Sequence, residues 1–188
     1  RTELMSGQYL DLLEQVRGQI TQERAETVIR YKSAKYTIER PLHMGAAIAD
    51  ASLELMTSLS GYGLSLGEAF QLRDDLLGVF GEPSVTGKPA GDDLREGKQT
   101  MLIAFAYSNA TAAQCSLLTK HLGSNSISPN EIEQLQEILI SCGAQDFIEQ
   151  RISSYLDTAL KSLENPAFDT ESKTALTALA ILATKRSA

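Results

Sequence analysis

Residues 70–100 read FQLRDDLLGVFGEPSVTGKPAGDDLREGKQT, and the rest of the chain is organised around this stretch. Carboxylates and lysines at helical spacing interrupt a segment that is otherwise apolar. If residues 67–80 form a helix advancing about 100° per residue, Gln71, Asp74, Asp75 and Gly78 fall on one arc about 100° wide. Ala69, Leu72, Leu76, Val79 and Phe80 spread over the other side. The pattern predicts an amide and two carboxylates facing outward from a helix whose back packs on a core. Pro83, Gly87, Pro89 and Gly91 then stop that helix. The loop they form returns Asp92, Asp93, Lys88 and Lys98 towards the same end.

Asp74 and Asp75 repel each other, and the helix N-terminus that would offset their charge is several residues away, so the pair calls for a cation. Oxygen-only ligation by few protein carboxylates suits Mg²⁺, which keeps water and shares its coordination sphere with substrate phosphate. Lysine beside a carboxylate-held metal is the arrangement a diphosphate needs. An acidic pair on a helix is more often a solvated face, and a Gly/Pro loop with lysines is more often only a loop. What favours the chemical reading is the coincidence, within one short stretch, of a Gln-x-x-Asp-Asp face, a Thr-Gly-Lys turn and an Asp-x-x-x-x-Lys step. Either Asp92 or Asp93 is available as the loop carboxylate.

The 188 residues are 43% hydrophobic and 22% charged, which is ordinary for one globular domain. A net charge of −7 with no basic stripe argues against nucleic acid as a partner. Cys115 and Cys142 form no CxxC pattern, so the expected setting is a reducing, cytoplasmic one. No run approaches the roughly 20 apolar residues a membrane span requires.

Helical signals fill the remainder, and no strand-like alternation bounded by turns appears, so the class is all-α. A helix is expected from Thr2 to about Val16, closed by Gly18, and another over Gln22–Ile29 with Thr21 as its cap. Lys32 and Ser33 fall at a helix-to-helix junction. The segment from Ile38 to Ala51, rich in Met, Ala and Ile, reads as a buried, closely packed helix with Pro41 in its first turn or at a kink. His43 within it is expected to be a satisfied side chain, not a metal ligand. Residues 52–80 recur with helical period, although Gly61, Gly63 and Gly67 weaken the case for one unbroken helix. Further helices are expected at Met101–Tyr107, Ala112–His121, Pro129–Ser141 with Ser128 as cap, Gln145–Leu163 and Thr170–Lys185. Glu131, Glu133, Gln136 and Glu149 are expected to face outward on a structural wall, and His121 is given no chemical role.

Phe70-Gln71-x-x-Asp74-Asp75, then Thr86-Gly87-Lys88, Asp93 and Gly97-Lys98-x-Thr100, resemble the second aspartate-rich motif and trailing loop of the trans-polyprenyl diphosphate synthases, the group containing farnesyl and geranylgeranyl diphosphate synthases. Gly7-Gln8-x-x-Asp11 and the Lys32-Ser33 pair match further motifs of that family, and the resemblance covers essentially the whole chain. One departure stands out: Gly78 occupies the place of the usual third aspartate.

The resemblance implies a helical bundle around a central cavity. It also implies that residues 1–188 are the C-terminal part of a single all-helical synthase domain, because the family's first aspartate-rich motif lies upstream of the Gly-Gln-x-x-Asp helix. The implied activity is Mg²⁺-dependent condensation of an allylic diphosphate with isopentenyl diphosphate to an all-trans polyprenyl diphosphate, with geranylgeranyl diphosphate the expected product, by a homodimer. Asp74, Asp75 and Asp93 are then metal ligands, with Asp11 acting through the metal or its water. Lys32, Lys88, Lys98 and Gln8 bind diphosphate, and Ser33 and Gln71 lie near the allylic cation. Two other readings remain open at this point: a non-catalytic regulatory or scaffold subunit of the same fold, and a class I terpene cyclase.

Overall fold

The computed structural model describes residues 2–18, 20–87, 89–124 and 126–185, with nothing assigned to the side chains of residues 85 and 86. Among the described residues every regular element is helical: α1 (Thr2–Arg17), α2 (Gln22–Ile29), a π-helical segment (Arg30–Glu39), α3 (Arg40–Ile48), α4 (Leu53–Phe80), α5 (Pro83–Thr86), α6 (Asp92–Glu96), α7 (Met101–Asn109), α8 (Ala112–His121), α9 (Pro129–Ser141), α10 (Ala144–Ser162) and α11 (Thr170–Thr184). The boundaries follow local chemistry. Gly18, at φ 88°, closes α1, its N–H reaching Glu14 O at 3.1 Å. Ser128 and Glu131 form a reciprocal capping box at the start of α9, as do Thr111 and Gln114 at α8. The glycines at 61, 63 and 67 do not interrupt α4, which is one helix of 28 residues.

The helices fall into two compact units. The first holds the start of α1 through Leu10, Thr27–Gln71 and the chain from Arg151 to the end of α11. Its core joins Leu59, Tyr62 and Leu66 of α4 to Ala159, Leu163, Phe168 and Ala180. Each large apolar side chain fully buried here contributes roughly 1.5–3 kcal/mol relative to exposure. The Tyr62 hydroxyl donates to Leu176 O at 2.8 Å, which satisfies its polar end, and burial pushes its pKa up to about 12. The second unit holds Asp11–Glu26 and Leu72–Gln150. It buries Leu72, Val79, Leu94, Met101, Leu102, Ile103, Leu118, Leu135, Leu139 and Ile148, and Phe105 stacks on Phe147 with ring centroids 4.2 Å apart. No helix among the described residues is long and apolar enough to cross a membrane.

Three expectations are corrected. Helix α3 is only partly buried: Leu42 and Ala46 pack against the core, but none of its residues is fully buried, and Met44 is 67% and Ile48 88% exposed. Apolar composition records a preference, whereas burial needs a neighbour on that face. Pro41 does sit in the first turn, where its missing N–H costs nothing. Lys32 and Ser33 lie inside one uninterrupted helical run, in π register, and not at a junction between helices. Gln136 and Glu149 are also more than solvated wall. Gln136 Nε2 donates to Val79 O at 2.6 Å, satisfying one of the carbonyls left over at the end of α4, and Glu149 receives both guanidinium nitrogens of Arg73 at 2.6 and 2.7 Å.

Candidate functional site

In the first unit the candidate residues are Gln8, Lys32, Ser33 and Gln71. Gln8 is exposed on α1 and Lys32 half-buried in the π segment. Ser33 is 7% exposed, and its hydroxyl donates to Gln71 Oε1 at 2.5 Å, so the structure brings together the two residues expected near the cation. The neighbouring cations are already committed. Lys35 Nζ lies 3.0 Å from Glu3 Oε1, and Arg40 grips both carboxylate oxygens of Glu3 at 2.7 and 2.8 Å. Those hydrogen bonds, Arg40 first, hold the Glu3 carboxyl down at about 2. His43 is satisfied as expected, with Nε2 2.8 Å from the Ser60 hydroxyl and Nδ1 3.3 Å from Arg40.

In the second unit the site is built on the end of α4 and on the short helix α6. Asp74 faces solvent. Asp75 does not: it is 7% exposed, which corrects the outward-facing pair read from the helical arc. Gly91 and Gly97, both at φ 70° where a side chain is strained, bracket α6 and turn the chain at each end. This places Asp93, 5% exposed, with its carboxylate directly over Gly78; a Cβ at position 78 would stand 2.7 Å from Asp93 Oδ1. The space a third aspartate side chain on α4 would start from is therefore occupied by a carboxylate from the loop. Asp93, not the half-buried Asp92, fills that space.

Lys98 Nζ donates to Asp93 Oδ1, and Glu96 Oε2 lies 3.5 Å from the same ammonium. The Lys98 backbone N–H also bonds Asp93 O at 3.1 Å, so the Asp-x-x-x-x-Lys step is one folded unit. Burial raises the Asp93 carboxyl above its ordinary value, the Asp74 and Glu96 charges add to this, and the Lys98 bond opposes it. For Lys98 burial pulls downward, but the bond to Asp93 and the surrounding carboxylates, Asp75 among them, outweigh it and leave the ammonium held above its usual value. Lys88 lies outside the described residues.

Among the described residues no three His, Cys, Asp or Glu side chains form a ready cluster for a metal ion. The donor set nonetheless fits Mg²⁺. Asp74, Asp75 and Asp93 offer only hard carboxylate oxygens, and the Asp74 charge helps raise the Asp93 carboxyl, an unfavourable interaction that a divalent cation relieves. An ion that takes part of its coordination from water and phosphate needs no closed protein cage. The spacing arguments missed Arg73, Glu149 and Gln136, which fasten this end of α4, because nothing local in the sequence pairs them.

The polyprenyl synthetase family model matches residues 1–139. The geranylfarnesyl diphosphate synthase of Aeropyrum pernix is 33% identical over 178 residues, covering 94% of this chain and 54% of that protein. The geranylgeranyl diphosphate synthase of Saccharolobus solfataricus is 31% identical over 180 residues, covering 96% and 53%. A crystal structure of geranylgeranyl pyrophosphate synthase from Corynebacterium glutamicum, complexed with isoprenyl diphosphate and magnesium, superposes with a TM-score of 0.96 at 44% identity, over all of this chain and 53% of that one. The chain spans about half the length of the curated relatives it matches. These relatives are named as prenyl diphosphate synthases, which favours neither the terpene cyclase nor the scaffold reading. Helices alone, the paired motifs on α1, the π segment, α4 and α6, and the family match over most of the length lead to one conclusion: the chain belongs to the polyprenyl synthetase family.

Proposed function

We propose that the protein carrying these residues is a Mg²⁺-dependent prenyltransferase that joins an allylic diphosphate to isopentenyl diphosphate, with geranylgeranyl diphosphate as product, acting in the cytoplasm as a homodimer. The observation that carries the reading is the Asp93–Lys98 pair seated over Gly78, where a carboxylate from the loop takes the place of the missing third aspartate. Asp74, Asp75 and Asp93, with Asp11 acting through the ion or its water, would hold Mg²⁺, which would supply charge neutralisation to the diphosphate. Lys98 and Lys32, with Lys88 and Gln8, bind the remaining diphosphate oxygens. The lysine charges stabilise the leaving diphosphate as the allylic C–O bond breaks and its electron pair departs on oxygen. Ser33 and Gln71, locked together by their hydrogen bond, present oxygen dipoles to the developing allylic cation. The double bond of isopentenyl diphosphate attacks that cation, and loss of a proton completes the new alkene. No covalent enzyme intermediate is required.

The test is thermal unfolding of the chain with inorganic diphosphate, with and without Mg²⁺. Stabilisation that needs both together and disappears in Asp74→Ala is expected. A shift that survives Asp74→Ala removes the metal assignment, and no shift in any combination removes the diphosphate reading for this chain.

A further inference from the structure

The π-helical segment Arg30–Glu39 runs for ten residues, whereas π-helices are mostly single-turn bulges. Its backbone is pressed against glycine at three places. On α4, Gly63 and Gly67 are one turn apart. A Cβ at Gly63 would stand 2.8 Å from Glu39 Cα, and one at Gly67 2.8 Å from Ala34 Cβ and closer still to Ala34 Cα. On α1, a Cβ at Gly7 would stand 2.7 Å from both Lys32 Cα and Tyr31 C. These obstacles are backbone, or a methyl fixed to it, so no rotamer change relieves them. One further turn along the α4 ridge comes Gln71, the acceptor of the Ser33 hydroxyl. The ridge Gly63, Gly67, Gln71 thus follows the π segment from Glu39 through Ala34 to Ser33.

We propose that Gly7, Gly63 and Gly67 are positioning residues, which by lacking a side chain admit the π register of Arg30–Glu39 and so set where Lys32 and Ser33 meet substrate. In an α register the same ten residues would complete an extra part of a turn, so Ser33 would rotate away from Gln71 and the neighbouring Lys32 would be re-aimed with it. The diphosphate role of Lys32 rests on the function proposed above; the seating of the segment does not.

The experiment compares the wild-type chain with Gly67→Ala, Gly63→Ala, Lys32→Ala and Gly61→Ala. Gly61 lies on the same helix, but its Cβ would meet only the Ser162 side chain, which can turn away. Amide hydrogen exchange and binding of inorganic diphosphate with Mg²⁺ are read for each. In Gly67→Ala the amides of residues 30–39 are expected to exchange at least tenfold faster while those of α9 are unchanged, and diphosphate affinity to fall about tenfold. Gly63→Ala, the milder intrusion, gives the same pattern in smaller measure and serves where Gly67→Ala does not fold. Gly61→Ala leaves both readings at wild type. Combining Gly63→Ala with Lys32→Ala should weaken binding no further than Lys32→Ala alone, because both act through one contact.

Unchanged exchange in 30–39 for the glycine variants overturns the seating. Additive losses in the double variant overturn the positioning role, since a merely structural defect would add. A wild-type chain that binds no diphosphate overturns the proposed function and the positioning role with it, while the exchange data still decide whether the glycines set the register.

Discussion

The two stretches that carry most of the residues proposed to meet substrate, Arg30–Glu39 and Asp74–Lys98, are held in place by different forces. The first is seated by shape: backbone against glycine at three contacts, closed by the neutral Ser33–Gln71 hydrogen bond. Its charged fastenings are the cluster of Lys35 and Arg40 around Glu3 and the ion pair of Arg30 Nε with the buried Glu68 carboxylate at 2.7 Å. The second is built from charge: Asp93, Glu96 and Asp75 act on Lys98 and hold its ammonium charged, while burial, with the Asp74 and Glu96 charges, raises the Asp93 carboxyl. Shape is indifferent to salt and pH, and charge is not. Under the proposed function, a segment that holds its form before substrate arrives is suited to the first kind of fastening, and one that accepts a cation and a polyanion to the second.

The contrast breaks most readily at Gly78. Replacing it with aspartate, as a sequence comparison alone would recommend to restore a third ligand, drives a side chain into the Asp93 carboxylate and adds a negative charge beside it. Gly78→Asp is expected to cost about 3 kcal/mol from overpacking and like-charge repulsion, seen as a fall in melting temperature without ligand. A stabilised variant, or one binding Mg²⁺ and diphosphate more tightly, would show that Asp93 is free to move aside.

A smaller effect probes the packed side. Tyr62→Phe removes the donor to Leu176 O in a fully buried position and is expected to cost about 1 kcal/mol in urea unfolding. Because burial raises the folded tyrosine to about 12, its contribution is complete below the unfolded value and lost as pH climbs from about 10 towards 12. In Tyr62→Phe that part of the alkaline decline should be missing.

Glu3→Gln measures how much charge supports the shape-held segment. The Glu3 carboxyl is held at about 2 against an ordinary 4.5, so its stabilisation is present above pH 4.5 and disappears as pH falls towards 2. With the side chain 37% exposed, solvent screening limits the cost at neutral pH to about 1 kcal/mol or less. A loss several times larger, or one abolished by high salt together with protection of residues 30–39, would erase the distinction between the two stretches.

The smallest change sharpens the meaning of the glycine contacts. A Cβ added to Gly45 in α3 would meet nothing within 4 Å, so Gly45→Ala should stabilise by about 0.5–1 kcal/mol through helix propensity alone. Melting temperatures of Gly45→Ala and Gly67→Ala should therefore move in opposite directions, although both replace a helical glycine with alanine.

Much of this was legible in residues 70–100 and the turn signals around them. Helix ends at Gly18, Thr21 and Ser128 fall where caps and breakers place them, and His43 is satisfied by Ser60 and Arg40 as its lone position implied. The apolar run 38–51 misled in part: Ile38, Leu42 and Ala46 pack on the core, but Met44 and Ile48 stay exposed, because hydrophobic residues state only what they would gain by burial. Asp75 misled in the opposite sense: a helical arc gives direction around one axis and says nothing of what the neighbouring helices cover.

By itself, then, the sequence determined an all-α chain, the bounds of most helices, and the residue types available for metal and diphosphate. Helical period, caps and breakers act within a few positions, so their outcome is written locally. Only the tertiary structure decided that Arg30–Glu39 takes the π register, that Asp75 turns inward, that Asp93 fills the space above Gly78, and that Gln136 and Glu149 fasten α4. Each of these depends on groups distant in sequence meeting at atomic contact, where a few tenths of an ångström separate a close fit from a clash, and no local spacing carries that information.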